Sequence, residues 1–216
     1  MTDAINSIGV IGAGHIGDGV ARVCAVAGYD VVVQDTDPDT LAGAMGKIEA
    51  GLGRQAKSAR ISADEAKGAL SRVRVTGNLA DMADCDLVIE SAPEDEEIKR
   101  QIYEDLKSVL KPHALIATNT SSISITRLAT ASDRPGKFIG MHFMNPVTAM
   151  ALVEVIPGVA TEQATTDAIM GVVERLGKTA VMAQDFPGFM VNRILAPMLN
   201  EAIYALHEGV GTVEAI

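Results

Sequence analysis

The chain has 216 residues, 48% of them hydrophobic and 21% charged, enough to build a sizeable core and too ordered in composition for a disordered protein. A formal net charge of −10 argues against nucleic acid or an anionic membrane as the general partner, while a local basic cluster could still receive a small polyanion. No run of about 18 uncharged apolar residues offers a membrane span, and Met1-Thr2-Asp3-Ala4-Ile5-Asn6 lacks the features of a secretory signal, so a cytoplasmic protein is expected.

In chain order, Ile8-Gly9-Val10-Ile11 reads as a short buried strand, followed by a helix from about His15 to Ala27 and a second strand, Val31-Val32-Val33-Gln34, that ends at Asp35. Pro38 to Ser71 reads as two helices, the second opened by a capping box at Ser62-Ala63-Asp64-Glu65, so residues 38–71 are expected to form a helical hairpin projecting from the sheet. Further strands are expected at Val73-Arg74-Val75, Leu87-Val88-Ile89, Leu115-Ile116-Ala117, Phe138-Ile139-Gly140-Met141, Leu152-Val153-Glu154-Val155-Ile156 and Thr179-Ala180-Val181-Met182. Short apolar strands separated by helices indicate an α/β fold, a Rossmann-type, mostly parallel sheet covered on both faces. A second region begins at Asp185: Pro187 suits a first helical turn, Gly209 a stop, and Ile194, Leu195, Met198, Leu199, Ala202, Ile203 and Leu206 make one broad apolar face. Residues 1–184 are thus expected to form the sheet domain and residues 185–216 the first part of a helical domain, with Thr212-Val213-Glu214 as another helix start. A face this wide needs a partner, which implies truncation or strong oligomerisation. Cys24 and Cys85 lie among apolar or small residues and are expected to be buried, reduced and unreactive.

Gly12-Ala13-Gly14-His15-Ile16-Gly17 follows a strand and opens a helix, with Asp35 closing the next strand. The first glycine permits a tight turn, the second lets a pyrophosphate approach the backbone, and the third allows close helix–strand packing. The free amides at the positive end of the helix then hold the pyrophosphate. Gly12, Gly14, Ile16, Gly17 and Asp35 are therefore candidate dinucleotide-binding residues; the bland alternative is a structural glycine turn. A carboxylate at Asp35 accepts hydrogen bonds from ribose hydroxyls and repels a 2′-phosphate, and Thr36 and Asp37 bring no arginine, so NAD is expected over NADP.

The fifth and sixth strands run into Asn119-Thr120-Ser121-Ser122 and His142-Phe143-Met144-Asn145-Pro146, at the sheet edge where ligands bind in such folds. Leu152-Val153-Glu154-Val155 and Pro187-Gly188-Phe189-Met190-Val191-Asn192-Arg193 follow. Together with the glycine fingerprint, these strings resemble the L-3-hydroxyacyl-CoA dehydrogenase family, in the style of bacterial 3-hydroxybutyryl-CoA dehydrogenases, in order and spacing from Ile8 to the last residue. The resemblance implies oxidation of a short L-3-hydroxyacyl-CoA to the 3-oxoacyl-CoA with NAD, or the reverse. It makes His142 the general base for the 3-hydroxyl proton and Glu154 the carboxylate that orients it. Ser121 and Asn192 match residues that hydrogen-bond the reacting oxygen, Asn145 a cofactor or substrate contact, and Glu94 and Lys99 positions near the nicotinamide ribose. It also implies a homodimer when the helical domain is full, and no metal.

The residues themselves leave plainer alternatives. His142 could be a satisfied structural histidine, Glu154 could pair with an arginine, Asn192 could bond backbone near a helix start, and Glu94 to Glu97 could be a solvated helix start. Lys47, Arg54, Lys57 and Arg60 form a basic set suited to coenzyme A phosphates. Arg54, Lys57 and Arg60 are the substrate candidates there, although Lys57-Ser58-Ala59-Arg60 departs from the Lys-Gly-Lys-like segment of relatives. Pro146-Val147-Thr148-Ala149-Met150 likewise departs from Pro-Val-Pro-Val-Met, and relatives continue for several more helices. Two other functions fit less well: a non-catalytic NAD-binding or structural protein on this scaffold, and a dehydrogenase of a free hydroxy acid or carnitine.

Overall fold

The computed structural model describes residues 5–216; residues 1–4, on which the expectation of a non-secretory start partly rests, lie outside the described residues. All eight expected strands form: β1 (Ser7–Ile11), β2 (Asp30–Gln34), β3 (Val73–Thr76), β4 (Leu87–Glu90), β5 (Leu115–Thr118), β6 (Phe138–Phe143), β7 (Leu152–Pro157) and β8 (Thr179–Met182). They make one sheet in the order β3-β2-β1-β4-β5-β6-β7-β8. Neighbours run parallel except β6 and β7, which are antiparallel. Chain order reverses between β1 and β4, and the crevice at such a switch point is where α/β sheets take ligands.

Helices cover both faces, which is why strands such as β4 and β6 are buried throughout instead of alternating. On one face α1 (His15–Val26), α2 (Pro38–Lys57), α3 (Ala63–Ser71) and α6 (Gln163–Arg175) pack over Ile8, Val10, Val33, Ile89 and Val155. On the other, α4 (Glu96–Leu106) and α5 (Ile125–Ala129) pack over Val32, Val88, Ile116 and Phe138.

The hairpin at 38–71 sits lower than the sequence suggests. Ala44, Ile48 and Leu52 of α2 and Ala69 of α3 join the main core. The Arg22 guanidinium, paired with Asp18, lies against Gly51, where any side chain would collide with it. The capping box forms as expected: Ser62 Oγ accepts from Glu65 N at 3.1 Å, and Glu65 accepts from Ser62 N at 2.7 Å.

The last helix, α7 (Val191–His207), starts four residues beyond Pro187. Gly188 and Phe189 have φ of 79° and 48°, a left-handed kink that no α-helix carries, so Pro187 lies in a preceding turn. Gly209, with φ of 74°, ends the helix as expected, and residues 213–215 form a turn instead of another helix. No residue of α7 is buried. Among the described residues, no helix is long and apolar enough to cross a membrane.

Candidate active site

The glycine fingerprint folds as its spacing demands. Gly12 has φ of 97°, and a Cβ there would lie 2.6 Å from Ser91 O, so the turn tolerates only glycine. A Cβ on Gly17 would lie 1.8 Å from Gly12 O, which accounts for the close helix–strand approach. Gly14 faces open space, leaving the first amides of α1 free for a pyrophosphate. Ile16 is half-buried, with its side chain against the main core.

Asp35 stands just past β2, half-buried, and accepts from Ala13 N at 2.7 Å and Asp37 N at 3.0 Å, which ties its carboxylate to the glycine loop. A cavity of about 460 Å³ opens beside it, lined by Ile11, Gly12, Asp35, Ala92, Ile98 and Ile102 among others. An apolar slot bounded by a carboxylate and a side-chain-free turn has the chemistry to take an adenine dinucleotide.

Histidine and glutamate meet because β6 and β7 are antiparallel. His142 and Glu154 are directly opposite in register, so their side chains rise on the same face. Glu154 is fully buried, and its Oε2 lies 2.8 Å from His142 Nδ1. A carboxylate at that distance fixes the proton on Nδ1 and leaves Nε2 as an acceptor. His142 Nε2 lies 3.0 Å from Ser121 Oγ, and the Phe189 ring packs edge-on against the imidazole at 5.5 Å. The other carboxylate oxygen, Glu154 Oε1, accepts from Met190 N at 2.8 Å and Val191 N at 3.0 Å. The pair is therefore fastened to the first turn of α7, where Asn192 is the second residue.

Sequence reasoning missed several supporting groups. Glu90, at the end of β4, is fully buried and holds four donors: Lys99 Nζ at 2.7 Å, Ala92 N at 2.6 Å, Tyr103 OH at 2.5 Å and Thr118 Oγ1 at 2.7 Å. Burial, with Glu90 beside it, pushes the Tyr103 hydroxyl well above its ordinary value. Lys99 consequently points inward, nearly fully buried, and its ammonium is 3.6 Å from Glu94. A carboxylate closing an otherwise apolar strand was the available signal, the same one that singles out Glu154.

Asn119 Oδ1 accepts from Phe143 N at 2.7 Å and splices the β5 loop to the end of β6. Asn145 is exposed, and its Oδ1 lies 3.1 Å from His15 Nε2, which links the glycine loop to the segment after His142. Asp185 accepts from Ser124 Oγ, Ile125 N and Thr126 N at 2.8–2.9 Å, capping α5. Burial alone would raise its carboxyl, but these bonds outweigh burial and hold it below the usual range. Lys47, Arg54, Lys57 and Arg60 are all exposed along α2 and the turn after it, away from the histidine pair in sequence and burial.

Comparison with known proteins gives consistent relatives. Residues 7–186 match the family described as 3-hydroxyacyl-CoA dehydrogenase, NAD binding domain, and residues 188–216 its C-terminal domain. A 3-hydroxybutyryl-CoA dehydrogenase of Bradyrhizobium diazoefficiens is 56% identical over 100% of this chain and 74% of its own length. A probable 3-hydroxybutyryl-CoA dehydrogenase of Deinococcus radiodurans is 50% identical over 96% of this chain and 74% of that protein. The crystal structure of (S)-3-hydroxybutyryl-CoA dehydrogenase from Ralstonia eutropha superposes with a TM-score of 0.94 at 39% identity, covering 99% of this chain and 75% of that one. The chain thus spans about three quarters of the length of these relatives.

Proposed function

The chain belongs to the 3-hydroxyacyl-CoA dehydrogenase family of NAD-dependent oxidoreductases, and on that premise we propose that it interconverts a short-chain L-3-hydroxyacyl-CoA and the 3-oxoacyl-CoA, with His142 as general base. The observation that carries this reading is the hydrogen-bonded line Glu154–His142–Ser121, with steps of 2.8 Å and 3.0 Å. In oxidation, Nε2 takes the 3-hydroxyl proton, and the buried carboxylate of Glu154 stabilises the imidazolium that results. In reduction the same nitrogen returns the proton. Asn192 and Ser121, whose hydroxyl turns from Nε2 to the reacting oxygen once substrate is bound, donate hydrogen bonds to that oxygen and polarise the carbonyl. NAD, when bound, supplies the hydride acceptor.

The remaining assignments follow the same reading. Gly12, Gly14, Ile16 and Gly17 present the pyrophosphate site, Asp35 the adenosine ribose site, and Glu94, Lys99, Ser121 and Asn145 the nicotinamide end. Arg54, Lys57 and Arg60 receive the phosphates of coenzyme A. The sheet domain ends near residue 184, and the apolar face of α7 serves a homodimer. The alternative of a binding-only scaffold is disfavoured by the buried carboxylate held against an imidazole beside a serine hydroxyl, a costly arrangement without a chemical use.

The test is loss of nicotinamide absorbance with acetoacetyl-CoA and NADH, run beside NADPH. Consumption of NADH, far faster than of NADPH and competed by free coenzyme A, is the expected result. Intact NADH binding without consumption contradicts the catalytic reading, and indifference to coenzyme A contradicts the ester substrate.

A further inference from the structure

Ser121 sits on a short loop between β5 and α5, and only its hydroxyl reaches His142. A loop serine has several rotamers and a mobile backbone to lose before its hydroxyl is useful. Its centre, residues 120–122, gathers on a single oxygen of Glu94, which arrives from a different loop, the one between β4 and α4. Glu94 Oε1 accepts from Thr120 Oγ1 at 2.6 Å, Ser121 N at 2.9 Å, Ser122 N at 3.0 Å and Ser122 Oγ at 2.9 Å. Thr120 in turn is fully buried, and its Oγ1 accepts from Ile123 N at 3.0 Å. The second oxygen of Glu94 faces the ammonium of Lys99 at 3.6 Å, and Lys99 is locked to Glu90 beneath it. Glu90 also holds Thr118, the last residue of β5, so both ends of the connection trace back to one buried floor.

We propose that Glu94 is a positioning residue: its carboxylate clamps the 120–122 loop and so fixes the Ser121 hydroxyl against His142, whether or not cofactor is bound. The inference rests on the reading of Ser121 given above and goes beyond a ribose contact for Glu94. Four donors converging on one oxygen define a direction for the loop that a neutral or shorter side chain does not reproduce. Hydrogen bonding from Thr120 and Ser122 outweighs the burial that would raise its carboxyl, so the clamp is ionised at neutral pH.

The experiment is histidine-selective ¹⁵N NMR of the full chain without cofactor, comparing Glu94→Ala, Ser121→Ala and the double variant. Glu94→Ala is expected to move the His142 Nε2 signal in the same direction as Ser121→Ala, and the double variant to match Ser121→Ala alone. The exposed His113 and His207 report an intact fold by staying in place. If Glu94→Ala disturbs them too, Glu94→Gln replaces it, with a smaller displacement of His142 expected. In turnover, kcat of the Glu94 variant is expected to fall by roughly 10- to 100-fold, and adding Glu94→Ala to Ser121→Ala is expected to lower it no further. A His142 signal identical to wild type in the Glu94 variants overturns the inference and leaves the role of Ser121 standing. No response of His142 to Ser121→Ala overturns both.

Discussion

Strand β4 and helix α7 are both rich in apolar residues and meet opposite fates. Leu87, Val88 and Ile89 are completely enclosed between two helical layers, whereas Ile194, Met198 and Ile203 of α7 are each more than half exposed. The sheet region satisfies its apolar surface within the chain; α7 buries none of its residues. Between them lies a joint, residues 185–191, held by hydrogen bonds to two carboxylates, Asp185 and Glu154, with Phe189 as its buried anchor. One of those carboxylates is the partner of His142, so the placement of the helix and the orientation of the imidazole share an oxygen pair. That shared carboxylate couples the orientation of His142 to the place where the helix begins.

The contrast is sharpest in matched core substitutions. Ile89→Ala, inside the sheet, is expected to lower unfolding free energy by about 2–5 kcal/mol, whereas Ile203→Ala on α7 changes the stability of the isolated chain by no more than about 0.5 kcal/mol. Denaturant titration at low protein concentration reads both, and equal losses would mean that the α7 face is already packed. At the joint, Glu154→Gln turns one acceptor oxygen into a donor, leaving either the imidazole N–H or the Met190 and Val191 amides unpaired, at a cost of about 1–3 kcal/mol. Faster hydrogen exchange at residues 190–191 should accompany that loss, and unchanged exchange there would uncouple helix from histidine.

Acid reads the two regions separately. Asp86 splices β1 to β4: it accepts from Ser7 N at 2.9 Å and from Lys111 Nζ at 2.6 Å. Burial would raise its carboxyl, but Lys111 and the amides of Asn6 and Ser7 prevail and hold it at about 2. A depressed folded-state pKa contributes stability above the ordinary carboxylate value, and that stability is lost as pH falls through the folded value. Asp86→Asn should therefore flatten the loss of stability between pH ~4 and ~2 in the sheet, and Asp185→Asn should lessen the acid sensitivity of signals from the joint. Acid curves that parallel wild type would contradict both. The smallest effect is expected at the thiols. Burial pushes Cys24 to about 12 and Cys85 to about 11, so neither should react with a thiol reagent in the native chain, and rapid labelling would mean the core opens.

Most of the fold was legible because its strands are uniformly apolar and its turns carry informative residues. Val31-Val32-Val33 could only be an interior strand, and Ser62 with Glu65 announced a helix start that forms as written. The start of α7 was misplaced because Pro187 is equally at home in a turn, and the left-handed backbone of Phe189 has no signature in a non-glycine residue. That the hairpin packs into the core also escaped notice, since Gly51 makes room for Arg22 from another helix and no local pattern records that. In the site, His142 and Glu154 stood out through their strings, and a carboxylate in an apolar strand demanded a partner. Glu94 and Asp185 act by gathering donors 26 to 61 residues away, and Glu90 reaches Thr118 on another strand, 28 residues on. Such long-range convergence depends on sheet order, which the sequence alone does not display.

The most direct test of the account compares His142→Ala with wild type in acetoacetyl-CoA reduction and in NADH binding. Turnover lower by roughly 10²–10⁴, with the dissociation constant for NADH nearly unchanged, is the result the account predicts. Parallel loss of NADH binding, or turnover that survives the substitution, would contradict it and return His142 to the role of a structural histidine.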